Sequence, residues 1–161
     1  MRKKLNEVLL FVVALIIPLG TGILSAILTR GNMNLYEQVK TPPLSPPPIL
    51  FPIVWTALYA LMGVSSGLVY RDLARDGKNG RQGLLFYGLS LIFNFFWSIF
   101  FFNMRAYLFS FVWLLCLLAL IVLTILRYRK VSAPAAYLQI PYALWVAFAG
   151  YLNIGIWLLN R

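Results

Sequence analysis

Apolar positions along this chain cluster into long runs, with none of the period-2 alternation of a half-buried strand. Five runs, roughly 5–29, 49–70, 82–102, 106–126 and 133–159, take up nearly all of the 161 residues. A bilayer core about 30 Å thick takes about 20 apolar residues of helix to cross. Each run meets that length, and none carries an ionisable side chain in its central part. Backbone groups in lipid must be paired internally, so runs of this kind cross as helices. The pattern predicts an all-α integral membrane protein, a single domain over 1–161 made of five transmembrane helices. The connections are short except for 30–47, whose prolines continue into the second run: Pro42, Pro43, Pro46, Pro47, Pro48 and Pro52. Successive prolines favour a stiff extended segment, and a loop this long in so small a chain reads as a lid. Residues 103–105 allow only a tight turn, which makes the third and fourth helices antiparallel neighbours. Gly63 and Gly67 form a GxxxG pair, and Gly22 and Ala26 a small-xxx-small pair; both predict close helix packing.

Charge changes the picture only by orienting it. The net charge of +10 invites a nucleic-acid reading, but its distribution argues against one. Counting spans places Arg2, Lys3, Lys4, Arg71, Arg75, Lys78, Arg81, Arg127, Arg129 and Lys130 on one side of the membrane. Arg30, Lys40, Arg105 and Arg161 fall on the other. The positive-inside rule then predicts the N-terminus inside and the C-terminus outside. The first run follows Arg-Lys-Lys as a signal peptide would. It is longer than a signal core and lacks a small-x-small exit, so it reads as the first membrane helix.

Composition excludes several chemistries. The chain has no His, and its four acids, Glu7, Glu37, Asp72 and Asp76, lie at span ends or in loops. No protein-ligated metal site can be assembled from these residues. Histidine-based triads, paired carboxylates and haem on an axial His fail equally. Ion-coupled transport ordinarily uses an intramembrane ionisable group, and none is present. Cys116, alone in the fourth run, reads as a small hydrophobe. What remains is aromatic: 12 Phe, 9 Tyr and 5 Trp. Aromatic walls suit a flat apolar ligand.

Three stretches concentrate the candidate site. In the second run Trp55, Tyr59 and Met62 share a helix face, and in the third Asn94, Trp97 and Phe101 lie at i, i+3 and i+7. In the fifth, Tyr142, Trp145, Ala149 and Asn153 form a stripe beside Phe148. An intramembrane Asn costs free energy unless its amide is paired. Either it makes an interhelical hydrogen bond, or it orients the polar edge of a ligand.

In order, the motifs are Pro46, Pro47, Phe51, Val54, Trp55, Leu58, Tyr59; then Asn94, Trp97, Phe101, Phe102; then Pro141, Tyr142, Trp145, Phe148, Leu152, Asn153. They resemble the three signatures of the tryptophan-rich sensory protein (TspO) family, whose animal members are the mitochondrial translocator (peripheral-type benzodiazepine receptor) proteins. The length, the five spans and the Pro-rich first loop agree, and the resemblance points to a bacterial member. It implies a five-helix bundle, a homodimer, and a pocket opening toward the first loop. Trp55, Tyr59, Asn94, Trp97, Phe101, Tyr142, Trp145, Phe148, Ala149 and Asn153 are the expected ligand-binding residues. The ligand it implies is a porphyrin of the protoporphyrin IX kind, held by stacking with no resident cofactor and no metal. The role it implies is a membrane receptor or sensor of tetrapyrroles in a bacterial cytoplasmic membrane. Two further readings stay open. One is light- and oxygen-dependent degradation of protoporphyrin IX, with Trp55 and Trp145 as the catalytic residues. The other is passive transport of porphyrin or lipid. The chain departs from the family pattern at Leu44, Ile49 and Phe95, where Trp is common. The animal sterol motif is not met after Tyr151, because the next basic residue is Arg161.

Overall fold

The computed structural model describes residues 2–161. Its long helices are α1 (Arg2–Thr29), α3 (Leu50–Arg71), α4 (Gly77–Ser98), α5 (Tyr107–Val131) and α6 (Ala133–Asn160). A short α2 (Leu35–Gln38) lies within the lid loop, and a π-helical turn, Ile99–Asn103, extends α4. All five long helices have the length and hydropathy to cross a membrane, and no strand occurs among the described residues.

The helices form a ring. In space the order is α1, α3, α6, α5, α4, and α4 closes back on α1 more loosely than the other neighbours pack. Gly63 sets the closest approach of one helix to another's main chain. A Cβ there would sit 2.8 Å from both the Ala14 carbonyl oxygen and the Leu15 Cα. One turn on, a Cβ at Gly67 would meet the Phe11 ring at 2.7 Å. The GxxxG pair is therefore the seam between α3 and α1. Without a hydrophobic drive between helices in lipid, close van der Waals contact and buried hydrogen bonds hold such seams. Gly22 on α1 likewise lies flat against the Tyr59 ring.

Helix ends follow ordinary chemistry. Asp76 precedes α4, and its carboxylate accepts from the Asn79 N–H at 3.1 Å and from Asn79 Nδ2 at 2.6 Å, an N-cap. These bonds hold its pKa below the usual carboxylate range. Pro134 sits in the first turn of α6, where a missing N–H costs nothing. Pro18 lies inside α1. The α4 boundary differs from the apolar run because Gly77 to Arg81 are helical although polar, started by the Asp76 cap.

The lid is tied down by polar contacts to three elements. Asn160 of α6 pairs with Lys40 twice: the Lys40 N–H donates to its Oδ1 (2.9 Å) and its Nδ2 donates to the Lys40 carbonyl (2.8 Å). The Tyr151 hydroxyl donates to the Pro43 carbonyl at 2.7 Å. Arg105 reaches Gln38 at 2.9 Å, and Asn32 donates to Asn103 Oδ1 at 2.9 Å. Leu44 at the loop tip has φ 67° and is 84% exposed.

Candidate functional site: an aromatic cavity under the lid

A cavity of about 410 Å³ opens at the lid end of the ring, walled by α1, α2, α3, α4 and α6. α3 contributes Phe51, Trp55, Thr56 and Tyr59; α4 contributes Asn94, Trp97, Ser98 and, past the π turn, Phe102; α6 contributes Trp145 and Ala149. α1 supplies Leu19, Gly22, Ser25 and Thr29, and Tyr36 of α2 closes the lid side. No charged side chain lines it. Its size falls within the range of pockets that bury drug-sized ligands, about 300–1,000 Å³.

The rings are mutually braced. Trp55 stacks on Tyr59 with centroids 5.5 Å apart and planes at 29°. Tyr36, Phe51 and Trp145 make a collar, with Tyr36–Phe51 at 5.0 Å and Phe51–Trp145 edge-on at 5.9 Å. Polar groups are few and mostly spent. Asn94 Nδ2 donates to the Tyr59 hydroxyl at 3.2 Å. The Ser25 and Ser98 hydroxyls pair across α1 and α4. The Trp145 Nε1–H has no partner. An unpaired buried donor is uncommon, and this one has no accessible surface.

Of the ten expected residues, six line this cavity: Trp55, Tyr59, Asn94, Trp97, Trp145 and Ala149. The other four lie outside its wall. Asn153 is fully buried and does not stand near the mouth. Its Oδ1 accepts from Trp97 Nε1 (3.1 Å) and Ser110 Oγ (3.1 Å), and its Nδ2 donates to the Tyr107 carbonyl (2.7 Å). The amide is consumed in joining α4, α5 and α6, which leaves nothing for a ligand. It positions Trp97 instead. Tyr142 is buried and meets the Trp55 ring edge-on at 6.3 Å. The physical reason is angular. At 100° per residue the Tyr142–Asn153 stripe spreads over about 80°, so one edge (Trp145, Ala149) faces the cavity while the other turns inward. Phe101 is fully buried, stacked on Trp97 at 5.4 Å. The π turn adds a residue, shown by the Met104 N–H donating to the Ile99 carbonyl at 3.0 Å, and Phe102 takes the cavity position. Phe148 is half-buried and packs between Trp145 and Tyr151.

Replacing Asn153 with leucine is expected to cost about 2 kcal/mol, since three intramembrane hydrogen bonds go at about 0.6 kcal/mol each. Chemical denaturation in detergent measures it. Freed from its partner, the Trp97 indole should show a shifted emission maximum.

The α1 residues went unread in the sequence, although Gly22, Ser25 and Thr29 lie at i, i+3 and i+7 on one face. A small and polar stripe in an otherwise aliphatic helix was the available signal. Tyr36 had none beyond its place in the lid.

Comparison with known proteins shows the family. The model of the TspO/MBR family matches residues 14–158. The chain belongs to the TspO/MBR family. It is 39% identical over 127 residues to the tryptophan-rich protein TspO of Chlorobaculum tepidum, covering 78% of each chain. It is 33% identical over 147 residues to the translocator protein of Bos taurus, covering 91% of this chain and 87% of that one. Protein CrtK of Rhodobacter capsulatus is 30% identical over 151 residues, covering 94% and 92%. With five apolar spanning helices, this TspO/MBR family member is an integral membrane protein.

Proposed function

We propose that the protein is a membrane receptor for free-base porphyrins, held in the aromatic cavity by stacking and burial. The observation that carries this reading is the cavity wall itself: three Trp and two Tyr around an uncharged space beneath a latched lid. Aromatic faces favour a flat π system, each close pairing adding about 0.5–1.5 kcal/mol beyond burial. The lining holds no His, Cys or charged side chain. Of the groups that can ligate haem iron it offers Met33, Tyr36 and Tyr59, and the Tyr59 hydroxyl already accepts from Asn94, so the reading rests on stacking and not on axial ligation. Titrating the detergent-solubilised protein with protoporphyrin IX, and following quenching of Trp emission, tests the reading. Saturation at one porphyrin per chain is expected; linear, unsaturable quenching contradicts it.

A second reading is favoured by one specific observation: two indoles, Trp55 and Trp145, both stand in the cavity wall. An indole in contact with a light-excited porphyrin can give it one electron. Molecular oxygen, reacting with the reduced macrocycle, would be the oxidant that breaks it down while the indole radical recovers an electron from the products. Loss of the porphyrin absorbance under illumination, in oxygen, at a rate that falls in the Trp55→Phe, Trp145→Phe double variant distinguishes an enzyme from a receptor.

The membrane we assign is the bacterial cytoplasmic membrane, with the N-terminus inside, on the strength of the basic residues gathered at one end of the bundle. Reporter fusions at Arg161 should read as external; cytoplasmic signal would contradict the assignment.

A further inference from the structure

We propose that a groove between α1 and α4, at the end of the bundle away from the aromatic cavity, is a binding site for one anionic diacyl phospholipid. The groove encloses about 690 Å³ and faces the lipid where α1 and α4 pack loosely. Gly88 lines it, and a Cβ there would meet nothing within 4 Å, so the space beside it is open. Apolar residues of α1 and α4, such as Val13 and Leu84, make its walls, and Asn6 and Tyr70 make its polar end.

Three observations select the occupant. First, the groove has the length of one leaflet. From Asn6 to Ile17 along the α1 wall is eleven residues, about 16 Å, half of a hydrocarbon core of about 30 Å. Second, helical register puts a cation one turn beyond the groove on the stripe that lines each wall, and the two outnumber Glu7, the one acid on that stretch of α1. Lys3 lies on the groove-facing stripe of α1, at i with Asn6 at i+3 and Val13 at i+10. Arg81 leads the α4 stripe, at i with Leu84 at i+3 and Gly88 at i+7. Neither is engaged by an acid: the ion pairs among the described residues are Arg71–Asp72 and Arg75–Asp72. Two free cations over an apolar slot match a phosphate headgroup over an acyl chain. Third, Asn6 is exposed and lines the groove one turn from the charged start of α1, where a bound lipid would bring its ester region. An amide at that depth finds partners in glycerol and ester oxygens, whereas hydrocarbon offers none.

The test is native mass spectrometry of the full-length protein in neutral detergent, titrated with phosphatidylglycerol or phosphatidylcholine of equal chain length. One phosphatidylglycerol should remain bound with at least a tenfold preference over phosphatidylcholine. The Lys3→Ala, Arg81→Ala pair should lose that preference. The Arg129→Ala, Lys130→Ala pair, which removes equal charge from the same rim, should keep it within twofold. Gly88→Leu should fill the groove and release the lipid. Should Gly88→Leu fail to fold, the two charge pairs still decide. Equal binding of both lipids, or equal loss in both charge pairs, overturns the proposal, the latter showing diffuse attraction to the rim. A Gly88→Leu variant that turns from dimer to monomer while keeping its phosphatidylglycerol also overturns it, because a second copy then covers the groove.

Discussion

Gly63→Leu is expected to be the most damaging single substitution in the bundle, lowering stability by about 3 kcal/mol or more. Overpacking ordinarily costs about 1–3 kcal/mol, and here the obstacle is main chain. A Cβ at Gly63 would already stand 2.8 Å from the Ala14 carbonyl and from the Leu15 Cα. A flexible side chain could swing aside, but helix α1 can yield only by moving as a body. That movement would also part Gly67 from Phe11 and Gly22 from Tyr59, and so open the cavity wall. Unfolding by denaturant in detergent reads the loss. Gly20→Leu is the matched control: nothing lies within 4 Å of a Cβ at Gly20, so its stability should stay near that of the parent. Equal stability of the two variants would mean that α1 does not pack on α3 as described.

Ala149→Phe is expected to reduce porphyrin affinity by at least about tenfold while leaving the fold intact. Ala149 is the smallest side chain on the α6 wall, between Trp145 and the lid. A phenyl ring there occupies volume that a ligand would need, on the side of Ala149 that lines the cavity. The lost contacts correspond to more than about 1.4 kcal/mol, one decade in affinity. Parallel porphyrin titration and thermal unfolding separate the two effects. Loss of stability without loss of binding would place the ligand elsewhere.

The bundle was legible because lipid imposes a simple rule on sequence: twenty apolar residues, paired internally, in a row. The glycine seam was legible for a related reason, since Gly63 and Gly67 can recur four apart only on one face. The site was read less completely. Trp55, Tyr59, Asn94 and Trp97 face the cavity as their spacing suggested, because α3 and the regular part of α4 hold 100° per residue. Spacing could not reveal the π turn, which depends on how Ile99–Asn103 is held by its neighbours, and so Phe101 and Phe102 exchange roles. Nor could it say which edge of a broad α6 stripe turns inward. Asn153 faces Trp97, Ser110 and the Tyr107 carbonyl because α5 offers those partners, and its own helix carries no sign of them. Ser25 and Thr29 continue the small-residue face that Gly22 begins, but spacing alone does not say that α4 supplies the Ser98 hydroxyl that Ser25 meets.

The central claim, that the aromatic cavity holds a free-base porphyrin, is tested most directly by titrating protoporphyrin IX in the dark into the parent protein and the Trp55→Phe, Trp145→Phe double variant. Phenyl rings preserve burial and reduce the π surface. The expected result is saturable one-to-one binding in both, weaker in the double variant by about 1 kcal/mol, roughly fivefold. Equal affinity in the two proteins, with both folded, would contradict the assignment of this cavity as the site.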